Sequence, residues 1–276
     1  MKQLIPLFIL AVLFTGCLNE TNNNDCVAVD ESSYLTQYAQ QAGVVKRDSG
    51  LLYKVLEQGD GEIPQTNQVV FVDFDINLIT GETVVSTNEL TFFTLDDNVL
   101  PGLREGLSIM SEGATYELVL PSELAFGENP PTGTPIRCGS VIIYEVTLDS
   151  FLRDVETYLS ENAEREDVTV TESGLQYRVI EEGEGDTPLE TSSVRIKYKG
   201  ALTNGVVFDQ TTGDNTADFN VSGLISGFTE GLLLMNEGSK FELFLPPNLA
   251  YGNSPPGNAI PPNAILVFEV ELVEIL

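Results

Sequence analysis

An internal duplication constrains the fold of this chain more than any other feature of its sequence. Ser49 and Ser173 each begin a Ser-Gly-Leu-x-Tyr motif, at a separation of 124 residues. Further equivalent pairs, 124 or 125 residues apart, are Phe74 and Tyr198, Gly81 and Gly205, Gly106 and Gly231, Met110 and Met235, and Phe126 and Tyr251. A repeat of this length is a duplicated domain and not a solenoid unit. The sequence therefore predicts two domains of similar fold.

Alternating apolar and polar residues predict β-strands in both repeats. The alternation is clear at 70–78, at 194–198 and at 265–273. A period of two with one polar face is typical of an antiparallel sheet that packs one face on a core. A short helix is predicted in each repeat, at 102–110 and 227–235, where it would cover the apolar face. The predicted fold class is α+β, with each repeat an antiparallel β-sheet wrapped around a short α-helix.

The amino-terminal segment has the pattern of an export signal. Lys2 provides a positive start, and the apolar run at 4–14 is well short of the ~20 residues of a membrane span. Residues 1–17 resemble a bacterial lipoprotein signal peptide that ends at Cys17, which would be lipidated. The alternative is an ordinary cleaved signal peptide. The polar, Asn-rich residues 18–30 are predicted to be a flexible tether.

Two further helices are predicted, at 31–41 and 150–163, each ahead of one Ser-Gly-Leu-x-Tyr motif. The predicted domains are therefore 31–149, with an amino-terminal helix, and 173–276. A helix and linker at 150–172 join them.

Charge and composition exclude several classes of function. The net charge of −29, from 13 basic and 42 acidic residues, would repel nucleic acid. The absence of His excludes Ser-His-Asp and Cys-His nucleophilic systems and His-ligated zinc. The three cysteines are too few and too scattered for a thiolate cluster, so no metal and no cofactor are predicted. In an exported protein Cys26 and Cys138 could form a disulfide; the alternative is two free thiols.

The second repeat carries several short motifs in a fixed order. They are Tyr198-x-Gly200, Gly205-x-x-Phe208-Asp209, Leu224-Ile225-x-Gly227-Phe228, Leu249-x-Tyr251-Gly252, and Ile260 with Pro261, Pro262 and Phe268. In this order and spacing they resemble the FKBP-type peptidyl-prolyl cis-trans isomerases. The resemblance extends in weaker form over 49–148. It implies two tandem FKBP-like domains, which together with the signal-like residues 1–17 indicate a tandem-domain bacterial lipoprotein.

The resemblance implies a proline-binding pocket in the second repeat. Its catalytic residues would be Tyr198, Phe208, Asp209, Phe228, Tyr251 and Phe268, and its further substrate-binding residues Phe219, Leu224, Ile225 and Ile260. Phe228 would form the floor of the pocket, and the Tyr251 hydroxyl would bond a carbonyl of the bound peptide. Taken singly, each aromatic residue is better explained by ordinary core packing.

The first repeat departs from the pattern at these positions. The equivalents of Tyr198, Phe208, Asp209, Phe228 and Tyr251 are Phe74, Val84, Val85, Leu103 and Phe126. We expect a degenerate domain of the same fold, with weak or absent activity.

The implied reaction suits a chain without His, metal or nucleophile. X–Pro isomerisation is rotation about a partial double bond, with a barrier of ~18–20 kcal/mol, and moves no proton. An aromatic cup that binds the twisted amide best would lower this barrier. The expected substrates are proline-containing unfolded or exported polypeptides, and tacrolimus-like macrolides are candidate ligands. The expected location is the cell envelope, lipid-anchored to a membrane and facing the periplasm or the cell surface. The alternative is a non-catalytic client-binding or docking module of a cell-envelope machine, chaperone-like or gliding-associated.

Overall fold

The structure is a computed structural model that describes residues 31–87 and 90–276. The chain divides into two compact units between Phe151 and Leu152, called here the first unit and the second unit. The predicted signal peptide with Cys17, the tether and Cys26 lie outside the described residues, and the predicted domain limits stay predictions. None of the helices in the described part of the chain is long and apolar enough to cross a membrane.

The described residues of the first unit form a seven-stranded antiparallel sheet and two α-helices. In chain order the elements are α1 (Ser32–Tyr38), β1 (Val44–Lys46), β2 (Leu52–Glu57), β3 (Val69–Leu78), β4 (Thr83–Ser86), β5 (Thr91–Thr94), α2 (Pro101–Leu107), β6 (Thr115–Leu120) and β7 (Ile142–Phe151). The strand order is β1-β2-β6-β7-β3-β4, and β5 pairs with the first half of β3, ahead of the residues that pair with β4.

The second unit repeats this arrangement. Its elements are α3 (Val155–Ala163), β8 (Thr169–Val170), β9 (Gln176–Glu181), β10 (Ser193–Leu202), β11 (Val207–Gln210), β12 (Ala217–Asn220), α4 (Ser226–Leu233), β13 (Lys240–Leu245) and β14 (Leu266–Ile275). The order β8-β9-β13-β14-β10-β11, with β12 on β10, matches the first unit strand for strand. The predicted fold class, an antiparallel sheet wrapped around a short helix in each repeat, is confirmed.

Each sheet packs its apolar face against one short helix at very close range. In the second unit, a Cβ on Gly227 would lie 2.7 Å from Leu245 Cγ, and a Cβ on Gly231 would overlap the side chain of Leu243. Because these glycines are four residues apart, they lie on one face of α4, where their missing side chains let the helix rest on β13. Gly102 and Gly106 have the same relation to β6 in the first unit.

The helix predicted at 150–163 is wrong at its start. Phe151 is the last residue of β7, where it pairs with Val70, so the strand extends further than the sequence pattern indicated. Helix α3 then begins at Val155, because the Asp154 side chain accepts a hydrogen bond of 3.0 Å from the Thr157 N–H and caps the first turn.

Helices α1 and α3 cover the outer faces of their own sheets with different chemistry. Tyr38 of α1 is buried in an apolar cluster that includes Leu52. The equivalent residues of the second unit are Asn162 and Gln176, and the Asn162 Nδ2 donates a buried hydrogen bond of 2.8 Å to Gln176 Oε1. Because both polar side chains have partners, their burial is tolerated.

We expect Gly231→Ala to destabilise the second unit by about 1–2 kcal/mol. The added methyl group overpacks the helix–sheet contact, at a cost of roughly 1–3 kcal/mol, while the gain in helix propensity returns at most about 1 kcal/mol. Hydrogen exchange of peptides from α4 and β13, measured on the full chain, would report the loss. The matched control is Leu234→Ala at an exposed position, which should change stability by less than about 0.5 kcal/mol. Unchanged protection in Gly231→Ala would contradict this account of the helix packing.

Candidate functional site

Three phenylalanines form an edge-to-face cluster on the core side of the second sheet. The rings of Phe228 and Phe268 lie 4.9 Å apart at 89°, and those of Phe208 and Phe268 lie 5.5 Å apart at 85°. Phe228, in the first turn of α4, and Phe268, on β14, are buried, with 4% and 6% of their surfaces exposed. Phe208, on β11, is half-buried. The cluster therefore has a buried floor and a partly open side.

Tyr198 extends the cluster and links it to the carboxylate of Asp209. Its ring lies 5.9 Å from Phe219 of β12 in an edge-to-face contact. Its hydroxyl donates a hydrogen bond of 2.6 Å to Asp209 Oδ2. Partial burial raises the pKa of Tyr198 well above its usual range, and the bond to Asp209, the charge of Asp209 and the nearby Tyr251 raise the pKa further. Tyr198 is thus a protonated donor at neutral pH, and Asp209 is held at the edge of the cluster.

The backbone of Tyr198 is fixed by a residue that the sequence analysis did not identify. The Tyr198 N–H donates to Thr211 Oγ1 at 3.1 Å, and the Thr211 N–H donates to the Tyr198 carbonyl at 2.9 Å. Thr87 makes the same two bonds with Phe74 in the first unit, at 2.8 and 3.0 Å. The 124-residue separation between Thr87 and Thr211 is the signal that points to this clamp in the sequence.

The remaining predicted residues come from the loops around the cluster. Leu224 and Ile225, both half-buried, join a 3₁₀ helix to the start of α4. Tyr251 follows the 3₁₀ helix Pro247–Leu249 and is half-buried, whereas Ile260 is buried. The Asn263 N–H donates to the Gly252 carbonyl at 2.8 Å, which ties the loop after Ile260 to the loop of Tyr251.

Gly200 lies directly behind two rings of the cluster. It pairs with Phe268 on one side of β10 and with Asp209 on the other. A Cβ at this position would lie 2.7 Å from two ring atoms of Phe208 and 2.8 Å from a ring atom of Phe268. The sequence motif includes Gly200, but the motif alone did not show that a side chain there would collide with the cluster.

The first unit has a filled core where the second unit has the half-open cluster. Ile76 occupies the position of Gly200 and is only 2% exposed. The equivalents of the half-buried Tyr198, Phe219, Leu224 and Ile225 are all buried, and they are Phe74, Phe93, Val99 and Leu100. Phe74 packs against Tyr144, the equivalent of Phe268, with ring centroids 5.7 Å apart. The first unit therefore keeps the scaffold of the site and none of its open side.

Possible metal ligands and one cysteine of the predicted disulfide are among the described residues. Within the described residues, no group of three or more His, Cys, Asp or Glu side chains is arranged to hold a metal ion. Cys138 is buried and disulfide-bonded. Its predicted partner, Cys26, lies outside the described residues, so the pairing stays a prediction.

Two family models match this chain. One, for the FKBP-type peptidyl-prolyl cis-trans isomerase, matches twice, at residues 61–149 and 185–273. The other, for the domain amino-terminal to FKBP-type peptidyl-prolyl isomerase, matches residues 149–179. The first of these two matches contains β3 to β6, helix α2 and most of β7, and the second contains β10 to β13, helix α4 and most of β14.

Three similar proteins each match less than half of the chain. The FKBP-type 22 kDa peptidyl-prolyl cis-trans isomerase of Escherichia coli is 53% identical over 120 residues, which cover 43% of this chain and 58% of the relative. The outer membrane protein MIP of Legionella longbeachae is 40% identical over 121 residues, covering 44% of this chain and 52% of the relative. The crystal structure of FkpA from Escherichia coli is 40% identical, covers 44% of this chain and 57% of its own, and superposes with a TM-score of 0.42. The chain thus spans little more than half the length of these relatives.

The hydrogen bond between Tyr198 and Asp209 predicts an energetic coupling between the two side chains. We expect a double-mutant cycle of Tyr198→Phe and Asp209→Leu to give a coupling free energy of about 0.5–1 kcal/mol. This value is below the roughly 1.5–3 kcal/mol of a hydrogen bond to a charged group because Asp209 is exposed. Hydrogen exchange of peptides from β10 and β11 in the full chain would measure it. Tyr198→Phe combined with Lys199→Ala, on the opposite face of β10, should be additive. Additivity of the first pair would show that the bond adds no stability.

Proposed function

The chain belongs to the FKBP-type peptidyl-prolyl cis-trans isomerase family, and we propose that it accelerates the cis-trans isomerisation of X–Pro bonds at the aromatic cluster of the second unit. The observation that carries this proposal is the contrast between the two units. In the second unit the rings of Phe208, Phe228 and Phe268 leave a half-open apolar cluster, whereas Ile76 and its neighbours fill the equivalent space of the first unit.

The cluster supplies what the reaction needs. The ground-state amide is planar and polar because of resonance, and this resonance is lost when the bond is twisted by about 90°. An apolar environment around the proline ring favours the less polar twisted form, which is selective binding of the transition state. In this mechanism Phe228 and Phe268 contact the proline ring from below and Phe208 contacts it from the side. No proton is transferred, so the absence of His from the sequence has no consequence.

Polar groups at the rim would orient the peptide. The Tyr251 hydroxyl would donate to a carbonyl oxygen of the bound chain. Asp209 follows Phe208 in sequence and accepts a hydrogen bond from the Tyr198 hydroxyl. Its charge at the edge of the cluster would favour the orientation of the peptide dipoles that accompanies twisting.

The proposed substrates are proline-containing stretches of unfolded or exported polypeptides. Such stretches are extended and expose the proline ring, which a half-open cluster can reach. Tacrolimus-like macrolides would compete for the same rings.

We place the protein in the cell envelope, anchored through a lipidated Cys17. The apolar run at 4–14, followed by Thr15, Gly16 and Cys17, supports this location, as does the name of the outer membrane relative from Legionella longbeachae. Lipid chains would bind the bilayer through buried methylene groups, at ~0.8 kcal/mol each.

The isomerase proposal is tested with the full chain and an X–Pro peptide, by exchange NMR. We expect acceleration, and we expect Phe208→Ala to lower kcat/KM by about tenfold or more, or at least ~1.4 kcal/mol of transition-state stabilisation. The matched control is Val84→Ala at the equivalent position of the first unit, which should stay within about twofold of the parent. Tacrolimus should inhibit the parent chain.

Two outcomes would contradict the proposal in different ways. If Phe208→Ala and Val84→Ala lowered the rate equally, the second unit would not be the seat of the activity. If the parent chain did not accelerate isomerisation, the enzymatic function would be wrong, and a purely peptide-binding role would be the better account.

The lipid anchor is tested by metabolic labelling. We expect the full chain, expressed in a bacterium with a lipoprotein pathway, to incorporate a labelled fatty acid. Cys17→Ser should abolish the label because it removes the acceptor sulfur, whereas Cys26→Ser should retain it. Export without labelling of the parent chain would favour an ordinary cleaved signal peptide.

A further inference from the structure

Gly200 is the point of β10 at which the rings of the second unit come closest to the backbone. Any Cβ at this position would overlap Phe208 and Phe268 together. Glycine within a strand lowers stability, by roughly 0.5–1 kcal/mol relative to alanine, and often marks the close approach of another group. Here the approaching groups are the two rings of the cluster, so local strand stability does not account for the glycine.

The first unit has a side chain at the same point. Ile76 pairs with Tyr144 on β7 and with Val85 on β4, in the same register as Gly200. Even the irregularity that follows this residue in the strand pairing is the same in both units. The backbone therefore accepts either glycine or a branched side chain at this position.

The residue that precedes this partner on β11 or β4 changes in the opposite sense. Where the second unit has Gly200 and the large Phe208, the first unit has Ile76 and the smaller Val84. Ile76 belongs to one continuous apolar core, and Val84 packs against that core. The large apolar side chain is thus on β11 in the second unit and on β3 in the first unit. With its side chain on β3, the first unit has no open side at this place.

From this exchange we infer that Gly200 is the positioning residue that holds Phe208 edge-on to Phe268. Ile76, at the equivalent position of the first unit, closes the equivalent site there. This inference rests on the proposed isomerase function. Gly200 acts through Phe208 and does not itself need to touch the substrate. A side chain at position 200 would push the ring of the half-buried Phe208 away from Phe268, because Phe268 is buried and has less room to move.

Gly200→Ala in the full chain is the direct test. We expect kcat/KM for an X–Pro peptide to fall about tenfold, while hydrogen exchange in β10 shows a folded second unit. In a phenylalanine-labelled sample, the NOE contacts between the Phe208 and Phe268 rings should be lost. Lys199→Ala, the neighbouring position on the opposite face of β10, is the control and should keep the activity and the ring contacts.

A second comparison separates positioning from a general structural effect. If Gly200 acts through Phe208, Gly200→Ala should lower activity very little further in a Phe208→Ala background. If Gly200→Ala alone fails to fold, Gly200→Ala with Phe208→Leu should fold, because the shorter side chain removes the overlapping atoms of Phe208 and leaves the Phe268 ring room to shift. That double variant should have the activity of Phe208→Leu alone.

Each result decides the inference. Full activity of a folded Gly200→Ala variant, an effect that adds in full to Phe208→Ala, or failure of the double variant to fold would each overturn it, while an active parent chain would leave the isomerase proposal standing. An inactive parent chain would contradict the isomerase proposal. The NOE comparison would then still decide whether Gly200 positions Phe208.

Discussion

The close packing of helix α4 on strand β13 sets the geometry of the second unit. Because Gly227 and Gly231 have no side chains, the helix lies deep on the sheet. Phe228 lies between the two glycines in sequence. At that depth its ring packs edge-to-face with the ring of Phe268, with the centroids 4.9 Å apart. If an added methyl group held the helix further from the sheet, Phe228 would lose its contact with Phe268. The helix–sheet contact that stabilises the fold is therefore also the contact that assembles the site.

The two units show which residues this scaffold needs and which it leaves free. Both retain the helix glycines, the strand order and the threonine clamp at Thr87 and Thr211. They differ in how the space between β3 or β10 and the covering helix is filled. One solution buries Ile76 and its neighbours completely; the other leaves Tyr198 and Phe208 half-buried around a glycine. Interiors are close-packed, so a volume change at one position requires the opposite change at a neighbour.

Much of the fold could be predicted from the sequence, because it is encoded in local patterns. The period-two alternation of β3 and β10 and the offset between the repeats were enough to predict two antiparallel sheets, each with a covering helix. The end of β7 was missed because Phe151 has the same apolar character in a strand and in a helix. The role of Gly200 was missed for a different reason. It depends on ring atoms of Phe208 and Phe268, which come from two other strands, and no local pattern reports such a contact.

The half-open cluster of the second unit is better explained by function than by stability. Each Å² of apolar surface left in contact with water loses roughly 25 cal/mol of hydrophobic stabilisation. A glycine within a strand lowers the stability of the fold further. The first unit avoids both losses with the same backbone, so the fold does not impose them. The same chain contains the filled version in its first unit. Packing alone therefore does not explain why the second unit keeps Gly200, Phe208 and a carboxylate bonded to Tyr198, which leave that surface available. Transient burial of a proline ring would recover the forgone apolar contact each time a substrate binds.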